Sequence, residues 1–338
     1  METILVLAHT EADGSLAKNA LEALGAAKPI EGKLVVGLIG KEVQAAANSI
    51  AGCDARFLGV SGVEFAQARY GSDAAAAEAI CRAANATVVI APATSRWNRV
   101  LAGVAHRLGG RADMHVTAID AADAMVVTRW YYRQRMEAVF QRTQRPWVIA
   151  LESGCSEPWK RENGAAKVEA VTVMLSEAVK RTTVTGVKAP AADQQTIRPD
   201  ARLLFVAGAG WTKKQADGAA HVKDAEKLIL DFLGLTKASL GSSKSLVDLG
   251  GEGQAVLSFL SHLNQIGQTG STPRHAKGLS TCCHGEEPHT VGWRFINERR
   301  AISLDPNCGW ARGKADVLYV ANAFAVMGKV NELLVAGK

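Results

Sequence analysis

The chain has 338 residues, of which 48% are hydrophobic and 21% charged, a composition typical of soluble globular proteins rather than of disordered or fibrous ones. No apolar run reaches 18 residues, so the sequence predicts no membrane-spanning helix, and the length favours two domains over one. The formal net charge is +6, but the Lys and Arg residues are scattered and not interleaved with aromatic residues, which argues against a nucleic-acid-binding surface.

The first 110 residues alternate short apolar runs with amphipathic segments. Apolar runs without period-2 alternation lie at 4–8, 34–39, 55–60 and 87–91. Helical spacing follows at 15–24, 42–50, 74–84 and 98–108. This pattern indicates a mostly parallel sheet that is covered on both faces. The opening METILVLAHTEAD lacks a charged n-region, so we expect a strand and turn rather than a signal peptide, and a protein of the cytoplasm or of an organelle matrix.

Residues 116–150 break this rhythm. Alternation at 125–130, a second such stretch and an apolar run at 147–151 predict antiparallel strands that finish the first domain. Large rings dominate contact energies, so we place four tryptophans in its core or at a subunit interface: Trp97, Trp130, Trp147 and Trp159. The segment 182–199, rich in Thr, Ala, Pro and Gln, predicts an exposed linker. We therefore expect domains at 1–190 and 200–335.

The alternation restarts after the linker. Strands are predicted at 202–207, 237–240, 300–303 and 317–320, and a helix at 221–233. The predicted fold class is α/β, with two doubly wound, mostly parallel-sheet domains. The turn Gly208–Gly210 has two interpretations. Its glycines could let backbone N–H groups approach a phosphate, or the turn could simply join strand to helix, because Lys213 replaces the third glycine of GxGxxG.

The most specific motif is QIGQTG at 265–270. Its glycines free the backbone, and its Gln and Thr side chains offer donors and acceptors to a polar heterocycle. The motif resembles the QVGQTG loop of electron transfer flavoprotein alpha subunits. The resemblance implies that the loop lies against the isoalloxazine ring of FAD, with the Thr269 hydroxyl near flavin N5. Its neighbours in the predicted site are Gln265, Ile266, Gly267 and Gln268.

Further motifs follow in the order of that family. ASLGSSKSLVD at 238–248 resembles AxxGxSRxxVD, AISLDP at 301–306 resembles AINxDP, and residues 281–289 stand where the family has GISGAIQH. The resemblance therefore implies that the C-terminal domain is the flavin-binding, Rossmann-like (DHS-like) domain. It adds further expected FAD contacts at Ser243, Lys244, Gly285, His289, Ser303 and Asn322.

The sequence departs from the family where FAD phosphates would lie. The arginine of the family's glycine turn is Ala209, and the arginine of its SR pair is Lys244, a point charge rather than a planar fork. Glu286 and Glu287 bring negative charge to the segment that wraps the ribityl chain and pyrophosphate, where like charge disfavours binding. His289, which the family places near flavin O2, is kept. We expect a preserved isoalloxazine end and a rebuilt phosphate end.

Metal and catalytic sites receive less support. Cys282, Cys283 and Cys308, with His284 and His289, suggest a metal or iron–sulfur site, but adjacent cysteines rarely both ligate one tetrahedral ion. Six cysteines without a CxxC pair also make a disulfide framework unexpected. We therefore predict no metal. No acid–base pair and no complete dinucleotide fingerprint is visible, so we predict no catalytic residue, and an independent nicotinamide-dependent enzyme is disfavoured.

The sequence thus favours an alpha-type subunit of an electron transfer flavoprotein, a redox carrier rather than a substrate-converting enzyme. The resemblance implies bound FAD, a beta-type partner subunit that commonly holds AMP, and a flavin-dependent dehydrogenase as electron donor. The divergence suggests a dedicated donor, such as an amine or N-methyl dehydrogenase. We also expect the basic stretch 129–145 to be covered by a partner. The alternative is a degenerate scaffold subunit of a larger dehydrogenase complex, with altered or lost nucleotide binding.

Overall fold

The computed structural model describes residues 1–122, 124–131, 136–186, 197–198, 201–249, 255–267, 272–281, 296–308, 311 and 315–337. It divides into two compact units, residues 1–188 (unit 1) and 189–338 (unit 2). The described part of unit 1 has a nine-stranded mixed sheet, and that of unit 2 a five-stranded parallel sheet. The predicted α/β class with two domains is confirmed.

The strands of unit 1 are β1 (Glu2–His9), β2 (Gly32–Gly40), β3 (Arg56–Ser61), β4 (Val88–Pro92), β5 (Arg111–Asp120), β6 (Val126–Tyr131), β7 (Met136–Phe140), β8 (Trp147–Leu151) and β9 (Val168–Ala170). Their order in the sheet is β7-β6-β5-β8-β4-β1-β2-β3-β9. Strand β1 pairs in parallel with β2 on one side and with β4 on the other. The direction of the connections therefore reverses beside β1.

The helices of unit 1 are α1 (Lys18–Ala27), α2 (Gln44–Asn48), α3 (Tyr70–Ala84), α4 (Ser95–Asn98), α5 (Leu101–Arg107) and α6 (Glu177–Lys180). Successive side chains of β1 point to opposite faces of the sheet. Ile4 and Val6 pack in one apolar cluster, whereas Leu5 and Leu7 pack in another with Ile80 of α3. Both faces are covered, which is why these strands are continuous apolar runs.

The prediction for residues 147–151 was wrong in orientation. Strand β8 pairs in parallel with both β4 and β5, and all five of its residues are buried. Its apolar run belongs to the central parallel sheet because both of its faces are covered. Among the described strands, antiparallel pairing is confined to β5, β6 and β7. Trp97, Trp130 and Trp147 are buried in unit 1.

The basic stretch 129–145 is partly neutralised within unit 1. Arg129 lies 3.0 Å from the Asp113 carboxylate and Arg142 lies 2.5 Å from it, while the Trp147 indole N–H donates to it at 2.8 Å. Burial alone would raise the pKa of Asp113, but hydrogen bonds from Arg142, Trp147 and Arg129 outweigh it and lower that pKa. Two of the arginines expected to face a partner therefore serve the sheet itself.

The strands of unit 2 are β10 (Leu203–Ala207), β11 (Ser239–Ser242), β12 (His275–Thr281), β13 (Ile296–Ser303) and β14 (Val317–Val320), and its helices are α7 (Val222–Thr236), α8 (Lys244–Asp248) and α9 (Ala323–Ala336). The sheet order is β11-β10-β12-β13-β14. The sequence did not predict β12, α8 or α9. Strand β12 is polar in sequence, and a Cβ at Gly278 would come within 2.6 Å of Ile296, so its neighbours approach closely.

None of the helices in the described ranges combines the length and the apolar character that crossing a membrane requires.

Candidate functional site

The carboxyl ends of the parallel strands of unit 2 meet along one edge of its sheet, which we call the carboxyl edge of unit 2. Strand β10 pairs with β11 on one side and with β12 on the other. The connections therefore reverse between β10 and β12. Ligands of open α/β sheets bind outside the carboxyl ends at such a reversal.

The predicted polar residues lie along this edge. Ser243 and Lys244 follow β11, Ser303 ends β13, and Asn322 follows β14. The Ser303 hydroxyl accepts a hydrogen bond from the backbone N–H of Asp305 at 3.2 Å. Strands β11 and β14 are four spacings apart, about 19 Å at ~4.8 Å per spacing. A single ligand would therefore have to be extended to contact both Ser243 and Asn322.

Two of these side chains also cap helices. The Ser243 hydroxyl accepts the backbone N–H of Leu246 at 3.2 Å at the start of α8. The Asn322 side-chain oxygen accepts the N–H of Ala325 at 3.1 Å at the start of α9. Such caps satisfy backbone donors that a helix leaves unpaired at its first turn. Both residues therefore have a structural role, whatever ligand the edge binds.

The described half of the QIGQTG motif lies at the same edge. Gln265 forms a parallel bridge with Ser242, and the backbone N–H of Ile266 donates to the Ser242 carbonyl at 3.1 Å. Ile266 is buried. Gly267 has φ +74°, which favours glycine, and its N–H donates to the Thr272 hydroxyl at 2.7 Å. The motif thus begins anchored beside the end of β11.

Several predicted residues lie outside the described residues: Gln268, Thr269, Gly285 and His289, together with Cys282, Cys283, Glu286 and Glu287. Their contacts with FAD stay predictions. The described part of the motif places a buried apolar side chain, Ile266, and a left-handed glycine, Gly267, beside the end of β11, next to a buried hydroxyl. The hydroxyl is that of Ser242, which is fully buried and finds no hydrogen-bond partner among the described residues.

The Gly208–Gly210 turn is used internally. The Gly208 N–H donates to the carbonyl of Thr281 at 3.0 Å, and the turn continues as a 3-10 segment, Ala209–Thr212. The next α-helix, α7, begins only at Val222. A phosphate site of the helix-N-terminal kind needs free amides at the start of a helix. Of the two interpretations, the geometry favours the tight turn.

Lys244 is paired beside the edge. Its ammonium nitrogen lies 2.5 Å from the Asp248 carboxylate, and the His262 ring lies 2.9 Å from the other carboxylate oxygen. Hydrogen bonds from Lys244 and then His262 lower the pKa of Asp248. The positive charge expected to face a phosphate is therefore offset by a neighbouring negative one.

The carboxyl edge of unit 1 has a different content. His9 ends β1, and its ring lies 4.0 Å from that of Trp97, centroid to centroid. The Arg96 guanidinium binds the Asp73 carboxylate at 2.7 and 2.9 Å and donates to the Phe65 carbonyl. Asp73 is fully buried. Side chains of unit 1 itself fill the place where the connections reverse.

The charges of this cluster are balanced. Burial lowers the pKa of His9, and the nearby Asp73 only partly offsets this, so His9 is neutral near pH 7. Burial alone would raise the pKa of Asp73, but His9 and Arg96 outweigh it and lower that pKa. The Nε2 atom of His9 lies 3.5 Å from the Asp73 carboxylate. The result is an ion pair beside a neutral ring.

Unit 1 also contains a cavity of about 440 Å³, lined by Val63, Glu64, Arg69 and Lys180 among others. The Arg69 guanidinium binds the Glu64 carboxylate and donates at 3.3 Å to the carbonyls of Lys180 and Thr182. Its charge is therefore engaged by the scaffold. Within the described ranges, no three His, Cys, Asp or Glu side chains are grouped to hold a metal ion.

The family model of the electron transfer flavoprotein domain matches residues 4–178, just over half of the chain. The chain belongs to the electron transfer flavoprotein family. Comparison with curated proteins gives no match. The electron transfer flavoprotein match covers unit 1, where the sequence motifs were least specific, and ends before QIGQTG. Proteins of this family are flavoproteins, and membership implies partnership with another electron transfer flavoprotein subunit.

Proposed function

We propose that this electron transfer flavoprotein subunit is of the alpha type and binds FAD at the carboxyl edge of unit 2. One observation supports this most directly. Segment 265–267 and the side chains of Ser243, Ser303 and Asn322 lie far apart in sequence, yet all reach the edge where the connections reverse. An extended ligand along this edge would meet each of them.

The protein's part in this function is binding and orientation. When bound, FAD supplies the electron-accepting and electron-donating chemistry. Residues 265–270, which we call the ring loop, are anchored by the buried Ile266. Gly267 turns the backbone so that the following residues can meet the flavin ring. The family resemblance adds the Thr269 hydroxyl near N5 and His289 near O2. A donor or positive charge near O2 favours the reduced, anionic ring.

The proposed partners follow from the alpha-type assignment. A beta-type subunit would complete the complex and hold AMP, and a flavin-dependent dehydrogenase would deliver electrons. We propose an amine or N-methyl dehydrogenase as the donor class, because the phosphate-end residues depart from the family pattern. The cytoplasmic location expected from the sequence stays a prediction.

A second candidate is the degenerate scaffold subunit. Two observations favour it: the Gly208 amide is committed to Thr281, and the Lys244 charge is offset by Asp248. Both remove groups that could hold a pyrophosphate. The double substitution Glu286→Ala/Glu287→Gln separates the candidates. A large rise in FAD occupancy would show that like charge closes the natural site, whereas stoichiometric FAD in the parent protein would refute the scaffold.

The principal experiment is co-expression with a beta-type subunit, followed by visible absorbance and chromatography of the released nucleotide. We expect a flavin spectrum and released FAD. A stable complex without flavin, or with only AMP or FMN, would contradict the proposed function. A chain that stays monomeric and does not co-purify with a beta-type subunit would contradict the alpha-type assignment.

The ring loop has its own test, Thr269→Ala. Loss of one hydrogen bond is expected to weaken flavin binding by about 0.5–1.5 kcal/mol or to shift the flavin potential. Thr236→Ala is the matched control, since this hydroxyl bonds only backbone at the end of α7, away from the carboxyl edge. Flavin retention and potential unchanged in both variants would remove Thr269 from the site.

A further inference from the structure

We propose that Trp211 is a positioning residue of the cofactor site, which acts through Thr281 to fix where the chain leaves the central strand β12. The inference rests on the proposed function for its consequence, but its structural part can be tested without flavin. It gives the glycine turn a role other than phosphate binding.

Three hydrogen bonds join the β10 side to the last residue of β12. The Trp211 indole N–H donates to the Thr281 hydroxyl at 2.8 Å, and that hydroxyl donates to the Val206 carbonyl at 3.2 Å. The Gly208 N–H donates to the Thr281 carbonyl at 3.0 Å. Trp211 and Thr281 are both fully buried. Side chain and backbone of Thr281 are thus held from the same turn.

Packing alone does not require this arrangement. The indole lies in the apolar cluster of α7 and α9, with its ring centroid 4.6 Å from that of Phe324. A purely apolar ring would fill the same space without a donor to satisfy. A buried indole N–H needs a partner, and Thr281 is placed to accept from Trp211 while donating to Val206. Both polar groups are satisfied only when the end of β12 sits where it does.

We call these three hydrogen bonds the clamp, and the position of Thr281 determines what the clamp affects. Strand β12 borders the reversal of connections, and Thr281 is its last residue. Residues 282–289, to which the resemblance assigns Gly285 and His289, follow directly in the chain. Binding sites need their groups held to about 0.5 Å. A less firmly held end of β12 would therefore displace groups that bind the flavin, although Trp211 itself need not touch the flavin.

The test uses two variants that each remove one side of the bond, Trp211→Phe and Thr281→Val, in the complex with a beta-type subunit. Each is expected to lower flavin affinity on the order of 3- to 10-fold. Each should also shift the midpoint potential and change the visible circular dichroism at saturating flavin. The double variant should be little worse than either single one, because both remove the same interaction.

Trp147→Phe is the matched control. It removes an equally short buried indole hydrogen bond, 2.8 Å to Asp113, from unit 1. It should lower the unfolding temperature without changing affinity, potential or dichroism of the flavin. If Trp211→Phe and Thr281→Val behave in the same way, Trp211 is a core residue only and the proposal is wrong.

Hydrogen exchange of the flavin-free complex keeps this test separate from the proposed function. Trp211→Phe should speed exchange of the backbone amides of 275–281, strand β12, more than elsewhere in unit 2, and Trp147→Phe should not. Unchanged exchange in that segment would overturn the clamp even if flavin binds. Faster exchange in Trp211→Phe, together with a parent complex that binds no flavin, would support the clamp and refute FAD binding.

Discussion

In both units the strand connections reverse direction within the sheet, but different side chains lie at the two reversals. In unit 1 the connections reverse between β1 and β4, and in unit 2 they reverse between β10 and β12. The first reversal is filled by an ion pair of Asp73 and Arg96 beside His9 and Trp97. The second lies beside a glycine turn, and its edge carries neutral, buried hydroxyls such as those of Ser303 and of Ser242, which has no partner among the described residues.

This difference agrees with the ligand site that we propose at the carboxyl edge of unit 2. Buried ions are stable only when their partners compensate them, and in the unit 1 cluster the charges of Asp73 and Arg96 neutralise each other. The buried hydroxyls of Ser242 and Ser303 at the unit 2 edge are neutral and need no counter-charge. We therefore expect changes at the first edge to affect stability, and changes at the second to affect flavin binding.

The largest expected effect is that of Asp73→Asn. It leaves the Arg96 guanidinium, 16% exposed, without its buried counter-charge, and breaking a buried pair costs about 3–5 kcal/mol. Denaturant unfolding should show this loss, while flavin content per folded complex stays unchanged. Glu169→Gln breaks the exposed pair with Arg56 and should change little. Weaker flavin binding in folded Asp73→Asn protein would contradict the expectation that the unit 1 edge affects stability alone.

The second effect is a pH dependence of unit 1. Burial lowers the pKa of His9 below its usual 6.5, so the unfolded chain binds this proton more readily than the folded unit. Above about pH 6.5 His9 is neutral in both states, so the free energy of unfolding has its full value there. On acidification it falls, by at most about 1.4 kcal/mol per pH unit. Unfolding of His9→Gln between pH 5 and 7 should show a flatter slope.

His115 supplies the opposite control. A hydrogen bond to Glu152 raises the pKa of His115. Its stabilisation is therefore present below about pH 6.5 and lost as pH rises through the raised pKa. His115→Gln should make the fall in stability on acidification steeper. Equal slopes in the parent protein and both variants would show that neither ring contributes.

The third effect separates capping from ligand binding at Ser243. Ser243→Ala removes the cap of α8 and should cost about 1 kcal/mol of stability. Ser243→Asp keeps a capping oxygen but adds negative charge, so it should weaken FAD binding without that loss. Thr94→Asp adds the same charge at the N-cap of α4 in unit 1, where the Thr94 hydroxyl accepts the backbone N–H of Trp97, and serves as control. Equal effects of both Asp variants on affinity would show that the phosphates do not lie near Ser243.

The smallest effect is expected for Lys244→Gln. Because Asp248 already offsets Lys244, FAD affinity should change by less than about twofold, within the range of exposed ion pairs. Asp248→Asn frees the Lys244 charge and should strengthen FAD binding at low salt, with the gain fading at high salt. A large loss in Lys244→Gln would show that the lysine contacts the phosphates directly.

Local sequence was sufficient for the strands whose apolar runs are buried on both faces, such as β1, β2, β4 and β10, and for the α/β class. It did not give the orientation of β8, because the same apolar run fits a parallel or an antiparallel neighbour. It also missed β12, whose residues HAKGLST become central only because β10 and β13 pair with it on both sides.

For the site, the sequence by itself determined which segments carry flavin-type motifs: 265–270, Ser243, Ser303 and Asn322. Only the tertiary structure decided that the described ones share an edge, that Ser243 and Asn322 cap helices, and that Lys244 is paired. The Trp211–Thr281 bond and the His9, Asp73 and Arg96 cluster had no local signal at all. Their members lie far apart along the chain, and their chemistry exists only once parallel strands bring their ends together.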